Sequence, residues 1–528
     1  MSEIMKNNTR INLLIALTYS VTLIGGMFLG YKFLKDQGYE FKKSVHLADN
    51  NAEKVDEIIH IINRNYVDDI NADTLNHLPI DSLLHKLDPH SIYLPPAKAN
   101  ELTENLGGNF GGIGIEYYIL KDTLLVTNVV KDGPAYLAGI KQGDKILKID
   151  TVYVSGKSLP REQMMGKIKG RKGTPVKLTI MHPGNAQAVV FTVKRDRVKV
   201  SSIDASYMLN MDVGYIRISK FGAETDKDFV ESVKNLKAAG MKKLVLDLRD
   251  NGGGYLTAAT GLANQILQEN KLIVYTQGKH EPRTDYIATG GGEFEDGKLA
   301  VLINENSASA SEILAGAVQD LKRGIIIGRR SFGKGLVQEQ FPFGDGSALN
   351  LTIARYYTPS GRSIQKSYKE GYRAYQNELE RRFNDGELTS GKVVKKDSVK
   401  GRFLHGGIQP DIYVKLDTSG YNKFYNTLSS KRVLLDFVYD ILASRYTGSF
   451  LEQNLTTFNV SDADFKDFLK YIQTQSIAID ARQLATAKPV ILNDMKVLLC
   501  KYHLGDAGYY KALNLSDAVV KQAINSLQ

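Results

Sequence analysis

The stretch Asn304-Glu305-Asn306-Ser307-Ala308-Ser309-Ala310-Ser311-Glu312 closes the apolar run Leu299 to Ile303 and opens the helix-like Ile313 to Leu321. An apolar run bounded by turn residues and followed by helical spacing predicts a buried strand, a turn and a helix. Serines at such a junction place hydroxyls beside a helix N-terminus, where unpaired amides and the helix dipole favour developing negative charge. Ser309 with Glu312 also fits a capping box, a common way to start a helix that does no chemistry. Taken alone, the stretch carries both readings.

What separates them lies downstream. After a second apolar run, Gly324 to Gly328, comes Arg329-Arg330-Ser331-Phe332-Gly333-Lys334-Gly335-Leu336-Val337-Gln338. Lys334 sits between two glycines and four residues before Gln338, so the pair shares a face on a strand and lies close on a helix. Ser307 to Glu312 followed by Phe332-Gly333-Lys334-Gly335 and Gln338 resembles the carboxyl-terminal processing (tail-specific) proteases. The resemblance implies a serine endopeptidase with Ser309 as nucleophile, Lys334 as general base and Gln338 orienting the lysine.

The chemistry asked of these residues is restrictive. A serine hydroxyl is a weak nucleophile until a base takes its proton. The Gly-x-Ser-x-Gly elbow of other hydrolases is absent, and no histidine has a convincing local context. A lysine, with a reference pKa of about 10.4, serves near neutral pH only if burial lowers that value. The neutral amide of Gln338 can position the amine without restoring the charge that burial removes. Asp320, eleven residues beyond Ser309, would hold the amine protonated and is read as structural.

Upstream, Asp226 to Leu236 shows helical spacing introduced by Thr225-x-x-Asp228, and Leu244 to Leu248 reads as a buried strand. Strand-helix alternation recurs through Ile325 to Ile327 and argues for an α/β layer architecture. The turn Arg249-Asp250-Asn251-Gly252-Gly253-Gly254 either reverses the chain or meets a substrate. The family resemblance implies an oxyanion-hole amide at the Gly253-Gly254 pair, with Gly254 chosen, and a second from Ala310. Leu351 to Arg362 and Gly406 to Asp411 extend the resemblance; between them Tyr368 to Lys400 is densely charged and reads as a solvated excursion.

Leu106-Gly107-Gly108-Asn109-Phe110-Gly111-Gly112-Ile113-Gly114-Ile115-Glu116 is a glycine-rich loop running into a strand, without the Gly-Lys-Ser/Thr ending of a phosphate loop. With Gly133-Pro134-Ala135, Gly143-Asp144-Lys145-Ile146 and Gly173-Thr174-Pro175-Val176 it resembles a PDZ domain over about Asn100 to Arg195. Such a module captures an extended peptide as an added strand while loop amides bind its terminal carboxylate. Gly112, Ile113, Gly114 and Ile115 are the loop expected here; otherwise the glycines merely form a tight turn.

Leu13 to Leu29 is an uncharged apolar segment preceded by Lys6 and Arg10. It has nearly the length of a bilayer span, and without a clear cleavage site it reads as an uncleaved anchor rather than a signal peptide. The expected location is the inner membrane, with the catalytic domains in the periplasm or outside the cell. In 528 residues, 43% are hydrophobic and 24% charged, which excludes wholesale disorder. A single cysteine, Cys500, excludes an internal disulfide or a cysteine-based metal cluster. The net charge of +10 is dispersed, which argues against nucleic acid as a partner.

The expected fold class is multidomain α/β. It comprises an anchor or signal segment over 1–35, a helical lead-in over 36–99 with helical spacing from Ala52 to Tyr66, a PDZ β-domain over 100–196, a Ser/Lys protease core over 197–415 and a C-terminal α-helical domain over 416–528. In that last region Val433 to Leu442, Phe465 to Ile472 and Met495 to Leu499 keep apolar faces, fitting a substrate clamp, an adaptor site or a homo-oligomer contact. No metal or organic cofactor is implied. The expected partners are proteins with flexible C-terminal tails. The competing readings are a non-catalytic PDZ scaffold and a serine hydrolase of cell-wall or lipid esters.

Overall fold

Alternation within the strand Lys298–Ile303 sets the architecture. Successive strand residues face opposite ways, so Leu299, Val301 and Ile303 enter one core while Ala300 and Leu302 enter another. The computed structural model describes residues 51–69, 80–156, 160–185, 187–391 and 406–528. The segment Leu13 to Leu29 lies outside them; among the described residues no helix is long and apolar enough to cross a membrane. The chain divides into two units, Met1–Lys54 and Val55–Gln528.

The central sheet runs in the order Ile203–Met208, Val213–Ile218, Lys243–Asp247, Lys298–Ile303, Ile325–Gly328 and Ile412–Tyr413. Its first pair is antiparallel and the remaining pairs are parallel. Helices Thr225–Ala238, Leu256–Asn264 and Ala310–Asp320 bury Phe229, Leu262 and Leu314 against Leu244, Leu246 and Val301. Val519, Val520 and Ala523 of the helix Ala518–Ser526 cover the other face against Val245, Ala300 and Leu302. Two-sided burial explains why these strands read as continuous apolar runs, each buried leucine or isoleucine contributing about 1.5–3 kcal/mol. The last helix of the C-terminal region therefore completes the core of the sheet that carries Ser309.

A second, antiparallel sheet lies around the long strand Ala348–Tyr357, which pairs with Ile92–Leu94, Leu272–Gln277 and Leu336–Pro342. In the lead-in, the helix Asn51–Asn65 occupies the segment expected to be helical. Ile58 and Ile62, with Leu83 and Leu84 of the helix Ile80–Leu87, pack against Leu349 and Leu351. The segment before Ile92 is thereby tied to the strand that pairs with Gln338. Thr225, expected to precede its helix, is instead that helix's first residue, and its hydroxyl accepts the Gly222 amide at 2.8 Å.

The small β-module places Ile115–Leu120, Thr123–Val129, Lys145–Ile149, Pro175–Met181 and Val189–Lys194 side by side, with Ile115–Leu120 at the edge. Its own core holds Ile113, Leu124, Ile146, Val176 and Leu178. The C-terminal helices Val433–Asp440, Asp462–Thr474 and Ala481–Asn514 contain the three predicted apolar stretches, save that Ile441 and Leu442 lie beyond the first helix. They pack around Phe437, Phe468, Ile491 and Met495, and this cluster also takes in Leu120 and Leu125 of the β-module.

Part of the charged excursion departs from the solvated surface expected of it, while Glu380 and Arg381 are exposed as expected and residues 392–400 lie outside the described residues. Glu378, Arg382 and Glu387 are buried. Arg330 donates to Glu387 at 2.8 Å and to Glu378 at 3.1 Å, and Lys366 donates to Glu378 at 2.9 Å. Charges this deep persist because each is paired and hydrogen-bonded. A charge-dense sequence cannot announce that its partners, Arg330 and Lys366, wait on another part of the chain.

Candidate active site

Three serines crowd the start of the helix Ala310–Asp320, and tertiary contacts tell them apart. Ser307 and Ser311 are fully buried and donate their hydroxyls to the carbonyl oxygens of Leu248 and Asn251, at 2.8 and 2.9 Å. They knit the serine turn to the glycine turn. Ser309 alone is partly exposed. It is also the helix N-cap, with φ 54° and ψ −113°. A non-glycine residue there costs about 1–3 kcal/mol, a strain that persists only where surrounding contacts over-determine it.

Those contacts run to the lysine loop. Glu312 forms the capping box with Ser309, and its Oε2 accepts the Ser309 amide at 2.9 Å and the Lys334 amide at 2.8 Å. One oxygen shared by both donors keeps the two nitrogens within about 6 Å of each other. The other oxygen, Oε1, accepts the Gly333 amide at 2.7 Å and the Ser331 hydroxyl. On the opposite side the buried Tyr356 hydroxyl lies 3.0 Å from the Ser309 carbonyl oxygen and also bonds the carbonyl oxygen of Lys334. Burial pushes the Glu312 carboxyl up to about 7, while the Ser331 hydroxyl and the three amides pull the other way.

Lys334 donates its amine to Gln338 Oε1 at 2.8 Å. Desolvation lowers its pKa below the usual lysine value, against the opposing pull of Asp88 and Glu312. Gln338 lies on the strand Leu336–Pro342, and its Nε2 donates to the carbonyl oxygen of His90. The Asp88 carboxylate shapes that turn, accepting the His90 amide at 2.8 Å, the Ser91 amide at 2.9 Å and the Ser91 hydroxyl at 2.7 Å. Burial and the charges of Lys334 and Lys366 push the His90 imidazole down to about 3, and its Nε2 lies 2.6 Å from the Tyr375 hydroxyl. The backbone carbonyl of His90, rather than its ring, is what reaches Gln338.

Asp320 lies apart from this cluster, paired with Arg362 at 2.5 Å and accepting the Ser360 amide at 3.0 Å. The sequence reading missed Tyr356 and the role of Asp88-Pro89-His90-Ser91. A tyrosine in a strand and a turn ahead of another carry no local mark of what they will touch. Glu312 was legible only as a helix cap.

The glycine turn meets the serine from behind. A Cβ on Gly253 would fall 2.8 Å from the Ser309 Cβ and 3.0 Å from the Ala310 amide nitrogen. At Gly254, φ 147°, it would fall 2.1 Å from the Phe221 carbonyl oxygen, so no side chain fits. The Gly253 amide donates to Asn251 Oδ1 at 2.8 Å. Those of Gly254 and Ala310 donate to no acceptor among the described residues.

In the β-module Gly112 ends the strand Asn109–Gly112 and Ile115 begins the next, leaving Ile113 and Gly114 as the turn. Ile113 is buried, and its carbonyl oxygen accepts the Ala135 amide at 2.8 Å. Gly114 has φ 78°, and its carbonyl oxygen accepts the Val130 amide at 2.9 Å. Both carbonyls are engaged, whereas the Ile113 and Gly114 amides donate to nothing among the described residues. Such paired open amides suit an anion.

A strained serine after a parallel strand, open amides beside it and a peptide-binding type of β-module together define a PDZ-containing hydrolase. Peptidase family S41 matches residues 212–373 and the PDZ domain residues 111–201. A carboxy-terminal-processing protease of Bartonella bacilliformis is 37% identical over 328 residues, 61% of this chain and 74% of that protein. A probable CtpA-like serine protease of Staphylococcus saprophyticus is 33% identical over 332 residues, 62% of this chain and 66% of that protein. Among solved structures, the photosystem II D1 C-terminal processing protease aligns at 25% identity and TM-score 0.38, covering 70% of this chain and 94% of its own. The chain belongs to the carboxy-terminal-processing proteases of peptidase family S41.

Proposed function

We propose that the protein is a serine endopeptidase that captures the C-terminal tails of exported proteins on its PDZ domain and cleaves them with Ser309 and Lys334. The neutral Lys334 amine takes the Ser309 proton as the oxygen attacks the peptide carbonyl carbon. The oxyanion rests on the amides of Gly254 and Ala310. On collapse of the intermediate the lysine ammonium gives its proton to the departing amine, leaving an acyl-enzyme. Water deprotonated by Lys334 then releases the new C-terminus. Leu13 to Leu29 anchors the chain in the inner membrane, with the catalytic domains outside the cytoplasm.

The observation that carries this reading is the pair of clamps, Glu312 and Tyr356, that hold the Ser309 and Lys334 backbones together beside a desolvated amine. The test is mass spectrometry of a flexible-tailed protein incubated with the full chain and with Ser309→Ala. New peptide termini are expected with the parent only, with tail binding retained in the variant. The absence of new termini from the parent, or their persistence in the variant, overturns the assignment.

A further inference from the structure

The groove of the PDZ domain has a wall that the domain itself does not supply. One side is the open edge of Ile115–Leu120, which among the described residues pairs only with Thr123–Val129. The other is the helix Arg161–Ile168, which presents Arg161, Met165 and Ile168 at helical spacing. The open cavity between them, about 430 Å³, is also lined by Leu435 and Tyr439 of the helix Val433–Asp440 and Leu498 and Lys501 of the helix Ala481–Asn514. Spacings of four and three residues put each pair on one helix face.

This wall is held in register. The Tyr118 hydroxyl donates to Asp436 at 3.0 Å and accepts from Arg432 at 2.6 Å, while its ring packs on Tyr439 with centroids 5.5 Å apart. Lys121 pairs with Asp440, and Leu120 and Leu125 are buried in the helical core. An edge strand accepts an extended chain about 4.7–4.9 Å away, whose side chains then alternate between the two faces. Around the cavity Lys501 is paired with Asp506 at 2.5 Å and Lys169 lies 4.0 Å from Glu104, leaving Arg161, with the open amides of Ile113 and Gly114, to suit a chain that ends in a carboxylate.

We infer that the C-terminal helical region is part of the tail-recognition site, with Leu435, Tyr439 and Leu498 selecting an apolar or aromatic side chain upstream of the tail's carboxylate. This rests on the tail-capture reading above. The occupant is an extended peptide with a free C-terminus.

The test uses the full chain carrying Ser309→Ala and fluorescent peptides with a free or amidated C-terminus and a benzoylphenylalanine upstream. Photocrosslinks to residues 433–440 and 481–514 are expected. Leu435→Ala combined with Leu498→Ala should weaken the free-carboxylate peptide about tenfold, in keeping with the loss of buried methylenes. Crosslinks confined to residues 110–169, with affinity unchanged in the double variant, would overturn the composite wall while leaving tail capture standing. Equal binding of amidated and free peptides would overturn tail capture itself. Should the double variant not fold, the crosslink map from the Ser309→Ala chain decides.

Discussion

Around Ser309 and Lys334, buried polar groups are spent on one another: Glu312 accepts three amides and a hydroxyl, and the Tyr356 hydroxyl serves two carbonyls. Along Ile115–Leu120 the outer hydrogen-bonding edge is left open beside apolar side chains. The first arrangement fixes geometry, because a buried polar network tolerates only the conformation that satisfies all its members. The second leaves room for a guest, because main-chain edges and apolar walls accept many sequences. On the proposed reading, the first region suits a reaction with little positional tolerance, and the second suits main-chain capture, with selection left to the few side chains that line it.

The largest break in this contrast is Lys334→Ala, expected to lower kcat/KM by about 10³–10⁴-fold or more with peptide affinity unchanged. Parent-like turnover would remove Lys334 as the base. The same residue gives the pH dependence. Its folded pKa is lowered, so the amine is protonated and inactive below that value and free above it, and kcat/KM should climb with rising pH. The plateau should begin below the ordinary lysine value of about 10.4. Between the two pKa values the unfolded chain binds more protons, so stability also rises with pH there. A pH–rate profile whose rise begins only at the ordinary lysine value would contradict the desolvated amine.

Tyr356→Phe removes one clamp and leaves the ring. It should lower kcat about tenfold to a hundredfold, the size expected of small misplacements of reacting groups, with KM unchanged. The loss of stability should be about 0.5–1.5 kcal/mol, since one hydroxyl proton shared between two part-buried carbonyls is lost. A rise in KM with kcat preserved would place Tyr356 in substrate binding instead. Gly114→Asp sharpens the other side of the comparison. It sets an anionic side chain at φ 78° beside the open amides and should weaken a free-carboxylate peptide about tenfold, leaving turnover of a short peptide unaffected. Unchanged affinity by fluorescence anisotropy would remove that turn from carboxylate binding.

The sequence by itself determined the strand-turn-helix at Ser309, the glycine turn, the Lys334–Gln338 pair and the β-module's loop. Each is written in residues a few positions apart, and periodicity, capping and glycine's freedom act over that range. Only the tertiary structure decided which of three serines is left accessible, for Ser307 and Ser311 differ from Ser309 by their bonds to Leu248 and Asn251, far away in the chain. It likewise brought the Tyr356 hydroxyl, the His90 carbonyl and the buried Glu378 and Glu387 to their partners, and set the helices of Leu435 and Leu498 across the PDZ groove. Contacts between distant segments leave no period or motif in a sequence. They form because each buried polar atom must find a partner somewhere in the folded chain, and only the packed structure says where.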